Sequence, residues 1–156
     1  MDGATHLVIG AAAGEIFGRS PVTKFAAGLL SHLVADAVPH YDPDPRKLEA
    51  IPYYLWAAHA LSVLKQMDKT GYTGMLAGAL GGWAPDAEHV LHYFGFQREK
   101  LFPTHLGPQF EPLLQPKLPK EMGVPLTVAI NLVCLAFLEK RHKKRKKPRK
   151  PLFFKF

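Results

Sequence analysis

MGVPLTVAINLVCLAFL, residues 122–138, is a run of seventeen residues without a charge, held between Glu121 and Glu139. A membrane-spanning helix needs about 20 apolar residues, and about 17 is the lower limit. KRHKKRKKPRK, residues 140–150, follows at once, where a basic inside anchor would stand. This pairing of an apolar helix with a basic end decides between water and lipid. It favours lipid if the rest of the chain agrees.

Upstream, prolines and glycines cut the chain into helical pieces. Thr5–Phe17 is apolar and Ala-rich, with Asp2 or Thr5 as cap and Gly18 and Pro21 closing it. Pro21–Val38 opens on a proline in its first turn and ends before Pro39, Pro43 and Pro45. Leu48–Met67 is the third piece and Tyr72–Trp83 the fourth, with Gly74, Gly78 and Gly82 four apart. Glycine at that spacing weakens a helix but lets two backbones approach. Pro85 is expected to end the fourth helix and begin a short fifth one, Asp86–Phe94. Residues 95–120 form a long connection with five prolines, and Met122–Leu138 is the last helix.

Few of these helices carry a charged face. Ile9–Phe17 has only Glu15, Phe25–Val38 only Asp36, and Gly71–Ala84 has no charged residue. A helix without a polar face needs an apolar neighbour all round. The expected fold is therefore all-α: a compact bundle of five to six helices over residues 1–138, membrane-embedded, with a basic and flexible tail over 139–156. A bundle outside the membrane, or one held by a single helix, is the alternative. Met1 and Asp2 supply no basic start for a secretory signal, so an apolar first helix that entered a membrane would stay there.

Hydrophobic residues make up 47% of the 156 residues and mean hydropathy is −0.04, which excludes a disordered chain. Net charge is +7, but residues 139–156 hold ten basic residues and one acid, so the other 138 residues carry −2. The basic character belongs to the tail, which can attract an anionic membrane surface or, less readily, nucleic acid. Cys134 is the lone cysteine, which rules out an internal disulfide and a cysteine zinc knuckle. It lies in the most apolar helix and is expected to pack there. Ser20, Ser31 and Ser62 sit in no nucleophile motif, and no phosphate-binding loop or dinucleotide fingerprint occurs.

Eight histidines are the compositional oddity. SHLVADAVPH, residues 31–40, places His32 and Asp36 four apart, hence on one helix face. An imidazole and a carboxylate so placed can share a metal ion, or pair with each other by hydrogen bonding. His40 follows a proline and either turns inward or ends the helix; Asp42 and Asp44 suit an exposed turn. PDAEH, residues 85–89, offers Asp86 as a ligand or as a helix cap, with His89 three residues on and on the same face. Glu88 and His92 form a further pair. His6 stands in an apolar first turn, where an unpartnered imidazole is costly. His105, between Pro103 and Gly107, sits where a turn can close a site. His59, among aromatics, suits packing.

If the helices run up and down, starts of odd helices and ends of even ones share one end of the bundle. His6, His32, Asp36, His40, Asp86, Glu88, His89 and His105 then gather there, with the basic tail at the other end. The candidate metal ligands are His6, His32, Asp36, Asp86, His89 and His105. Asp86 and His105 are also the candidate catalytic residues, as carboxylate base and acid–base imidazole. Such donors suit a divalent metal, zinc or manganese before copper, which would activate water for hydrolysis.

Four phrases resemble one known family. THLVIGAAAG (5–14), SHLVADAVPH (31–40), PDAEH (85–89) and FPTH (102–105) are similar to motifs of the inner-membrane metal-dependent hydrolase family. That family shows a TH near its start, an SHxxxD phrase, a PDxDH phrase and a THS phrase. Here the SHxxxD phrase comes before PDxxH, Glu88 stands for the second acid of PDxDH, and Leu106 replaces the serine of THS. The chain resembles a short, divergent branch. The resemblance implies a small multi-helix membrane protein with metal-dependent hydrolase activity, in an inner membrane; the lysine bias of the tail puts that tail on the cytoplasmic side of a multi-pass protein. It puts His6, His32, Asp36, Asp86, His89 and His105 on the motif positions. The expected function is hydrolysis of a phosphoester or a lipid-linked small substrate. The alternatives are a non-enzymatic membrane or scaffold protein with a structural His–Asp network, and a helical protein binding nucleic acid through its tail.

Overall fold

A computed structural model describes residues 2–43, 47–68, 74–93, 95–96, 102 and 116–146. Five α-helices follow in order: α1 (Gly3–Phe17), α2 (Pro21–Ala37), α3 (Ile51–Asp68), α4 (Met75–Tyr93) and α5 (Lys120–Lys146). A short 3-10 turn, Leu48–Ala50, leads into α3. The all-helical compact bundle expected from the sequence is what forms.

Local signals set the helix starts. The Asp2 side chain accepts from the Ala4 and Thr5 amides, both at 3.1 Å, so two donors with no partner inside α1 are satisfied. Ser20 and Thr23 form a reciprocal capping box at the start of α2, with Pro21 in the first position.

α1 is the central helix and packs against each of the other four. Ala4, Leu7, Val8, Ala11 and Ala12 are buried and join Leu64 of α3, Met75 and Ala79 of α4 and Leu138 of α5 in one core. The closest contacts are backbone to backbone. A methyl group added at Gly10 would stand 2.8 Å from the Gly82 Cα; one added at Gly28 would strike the Gly78 carbonyl. Glycines therefore bring α1 and α2 down onto α4.

Two element boundaries differ from expectation. Pro85 lies inside α4, which runs unbroken from Met75 to Tyr93. Proline there cannot donate to the Gly81 carbonyl, and a ring in mid-helix normally crowds the residue four back. Tertiary packing holds the helix through this point: Gly81 and Gly82 are buried on α2 and α1. The last helix is longer than the apolar run, starting at Lys120 and continuing through the basic residues to Lys146.

The multi-pass reading is corrected. Among the described residues, one helix is long and apolar enough to cross a membrane, within α5 over Lys120–Lys144. α1 is apolar but has only 15 residues. Part of the missing charge has another cause: α1 is shielded by four helices of the same chain, and the glycine faces of α2 and α4 are buried on each other and on α1. The outer face of α2 is apolar and exposed at Val22, Leu30 and Val34.

Candidate metal centre

His6 lies in the first turns of α1, His32 and Asp36 in the last turns of α2, and Asp86 in the second half of α4. α1 and α5 run alongside: Asn131 of α5 donates to Thr5 of α1 at 2.8 Å, and Leu138 reaches the level of the α1 core. Starts of α1 and α5 thus share an end with the finishes of α2 and α4. The up-and-down reasoning holds for His6, His32, Asp36 and Asp86, and these four meet.

The geometry is tight. His6 Nε2 lies 3.0 Å from Asp36 Oδ1, and His32 Nε2 lies 3.1 Å from Asp36 Oδ2. The two imidazoles stack, centroids 3.9 Å apart at 22°. His32 Nε2 is 4.0 Å from Asp86 Oδ1. One donor atom from each of His6, His32 and Asp86 falls within a group no more than 4.8 Å across. His6, His32 and Asp36 are at most 1% exposed; Asp86 is 18% exposed and is the side from which the cluster can be reached.

Hydrogen bonding sets the direction of each group. His32 Nδ1 lies 2.8 Å from the Gly82 carbonyl, which can only accept. That places the proton on Nδ1 when the ring is neutral and turns the Nε2 lone pair inward. Thr5 is fixed likewise: its hydroxyl donates to Asp2 Oδ2 at 2.7 Å and accepts from Asn131, which steadies the turn carrying His6. His6 Nε2 has the distance of a hydrogen bond to Asp36 but not its alignment. Neither His6 ring nitrogen has an aligned partner among the described residues, nor has Asp86 Oδ2. Buried polar atoms of this kind call for a partner.

The charges follow from burial and from these neighbours. Burial lowers His6 to about 3, and the adjacent Asp36 only partly offsets it, so the ring is neutral. Burial opposes charge on Asp36 too, but the two imidazoles outweigh it and hold its carboxyl well below the usual carboxylate range. His32 is raised despite its burial, because the Asp36 contact and the Asp86 charge favour its cation. Burial pushes Asp86 up to about 7, with His32 pulling the other way.

Bonds of about 2.1 Å from a divalent ion to nitrogen and oxygen put neighbouring ligands about 3 to 3.5 Å apart. The Asp36 contacts of 3.0 and 3.1 Å have that spacing, and the 4.0 Å between His32 and Asp86 is wider, so Asp86 would have to close by about 0.5 Å on an ion. Two imidazoles, one with its tautomer fixed for ligation, and carboxylate oxygens beside them form a donor set that fits a divalent metal. The cap reading of Asp86 is corrected, because α4 is continuous and Asp86 stands well inside it.

Other candidates lie elsewhere. His105 with the rest of residues 103–115, and Asp44 with residues 44–46, fall outside the described residues, as do the side chains of His89 and His92. His40 is fully buried and serves a clamp. It pairs with Lys117 in a parallel bridge, and its Nε2 lies 3.1 Å from Asp42, which also binds Lys117. His59 is exposed beside Trp56, away from the cluster. Cys134 is half-buried against the core, and burial pushes its thiol up, as suits a packing residue.

Sequence reasoning missed three features. Glu88 accepts the Phe102 amide through both oxygens, at 3.1 and 3.2 Å, and the Phe102 ring meets His32 edge-on at 5.2 Å. The Gly82 carbonyl that orients His32 has no side-chain signature. A buried Lys24–Glu15 ion pair sits at the far end of the bundle.

Comparison with family models, with curated proteins and with solved structures finds no match for this chain.

Proposed function

We propose that the protein is a metal-dependent hydrolase whose ion is held by His6, His32 and Asp86, with Asp36 as the fourth donor. The observation that carries this reading is His6. It is a neutral, buried imidazole whose nitrogens lack aligned partners, beside a second imidazole turned inward by Gly82. When bound, zinc or manganese would supply Lewis acidity and a water made acidic enough to attack at neutral pH.

The residues do the rest. Asp36 touches both imidazoles, its Oδ1 at His6 and its Oδ2 at His32. Stacking of His6 on His32 fixes their spacing. Asp86, the least buried member of the cluster, is the carboxylate placed to exchange a proton there. Phe102, seated by Glu88, covers the His32 edge and keeps that side dry. A phosphoester or lipid-linked substrate suits a hard, oxygen-seeking ion. The resemblance to inner-membrane metal-dependent hydrolases belongs to this proposal. Its support is that the histidines of the TH and SHxxxD phrases, the aspartate of SHxxxD and the first acid of PDxxH meet. Lys140–Lys146, carried on α5 at the opposite end, is proposed to contact anionic partners, an acidic lipid surface before nucleic acid.

The test is metal content after purification without chelator, followed by assay of a phosphomonoester and phosphodiester panel. Wild type is expected to retain about one ion per chain, with His32→Ala and Asp86→Ala losing it. A metal-free wild type whose thermal stability chelator leaves unchanged would reduce the cluster to a structural hydrogen-bond network. An ion retained without any hydrolysis would leave a metal-binding scaffold.

A further inference from the structure

α3 and α5 both pack on α1, but they leave a groove between them of about 560 Å³. Its walls are Pro52 and Trp56 from α3 and Val124, Val128 and Leu132 from α5. Val128 is 50% exposed and Leu132 60%, so an apolar channel faces outward. From Lys120 to Leu132 it runs about 18 Å at 1.5 Å per residue, long enough for a dodecyl chain. None of His6, His32, Asp36 or Asp86 lines it.

One end of the groove is charged in a specific way. Glu49 and Lys120 stand side by side there, 3.2 Å apart and both partly exposed. Tyr41 donates to Glu49 at 3.2 Å, and Tyr53 lines the same end. Lys120 is also the first residue of α5, so its ammonium stands at the end of the groove where that helix begins. An exposed ion pair costs little to open. A ligand head bearing one negative and one positive charge, close together, can replace each pole with its opposite. A head with a single charge leaves the other pole unmatched.

We propose that this groove binds a monomeric single-chain zwitterionic amphiphile of the phosphocholine type. The alkyl chain lies along Trp56, Val124, Val128 and Leu132. The phosphate meets Lys120. The quaternary ammonium meets Glu49, with the Tyr53 ring beside it as a cation–π partner.

The test is calorimetric titration of the full chain with dodecylphosphocholine below its critical micelle concentration, so that no bilayer or micelle is present. Dodecyltrimethylammonium, monododecyl phosphate and dodecyl maltoside are the comparison ligands. Dodecylphosphocholine is expected to bind about tenfold tighter than any of the three. Glu49→Lys and Lys120→Glu should each remove that preference, and the two together should restore most of it. Val128→Trp, which fills the channel, should abolish saturable binding. Equal affinity for all four heads, an unchanged affinity in Val128→Trp protein, or no saturable binding would each overturn the proposal. The paired charge reversals decide the matter if the tryptophan variant does not fold. Metal content is read in the same samples and should not change, so failure here is separate from failure of the metal centre.

Discussion

His32 is engaged at both ring nitrogens, on the Gly82 carbonyl through Nδ1 and beside Asp36 through Nε2. Only the Nε2 side can accept an ion, and there protons compete with it. Asp86 titrates at about 7 and His32 is raised, so both give up protons when a cation binds. His6, at about 3, is already neutral and contributes no proton. Metal affinity should therefore fall as pH drops from about 8 to 6, by up to about tenfold per unit for each proton displaced. Asp86→Asn should bind more weakly throughout and lose about one proton from the slope, measured by competition with a chromophoric chelator. The His32–Asp36 part of this site was legible, because i,i+4 spacing alone puts the two on one face. Asp86 was legible only as one of two choices. A helix that starts after Pro85 makes it a cap, and a helix that passes through makes it a ligand. The Gly82 contact was not legible, since a backbone acceptor reached across 50 residues leaves no mark in sequence.

α4 presents glycine to α1 and α2 at successive turns, and those turns set the distance between His6 and His32. A methyl group at Gly82 would strike the His6 carbonyl and lie 2.8 Å from the Gly10 Cα, both backbone atoms that cannot rotate aside. Gly82→Ala should cost about 1–3 kcal/mol in urea unfolding, as overpacking does. It should also weaken metal binding, because α1 carries His6 outward. Gly3 has a related role at the mouth of the cluster. A Cβ there would stand 3.1 Å from Trp83 Nε1 and 3.5 Å from Asp86 Oδ2. Gly3→Val should lower metal affinity more than it lowers stability, since α1 can fray at its first turn. The spacing of Gly74, Gly78 and Gly82 announced a close helix contact but not its partner. Pro85 pointed to a break that packing overrides, and the basic run concealed that α5 continues to Lys146.

At the scale of the molecule, the two ends of the bundle carry different buried polar groups. Absence of charge on helix faces suggested lipid, but for α1 the same pattern arises because it is sheathed by four other helices. Sequence composition alone does not separate the two cases. The far end carries the Lys24–Glu15 pair, both residues at most 5% exposed, with Gly14, Gly18 and Gly74 crowding the lysine stem. Removing one member of a buried ion pair costs about 3–5 kcal/mol, because the other charge stays in place without it. Lys24→Met should therefore lower the unfolding free energy by about that much. Its metal affinity at neutral pH should stay within about threefold of wild type, because the cluster lies at the opposite end and shares no residue with the pair. His32→Ala should show the reverse, losing metal with a smaller loss of stability in chelator. A saturating ion should add about 2.7 kcal/mol at a hundred times its Kd to wild type and to Lys24→Met alike, since it ties α1, α2 and α4 together in both. Equal metal-induced shifts in Tm for these two proteins, and none for His32→Ala, would locate the ion at the His6 end. A shift abolished by Lys24→Met would mean that the bundle does not hold its two ends independently.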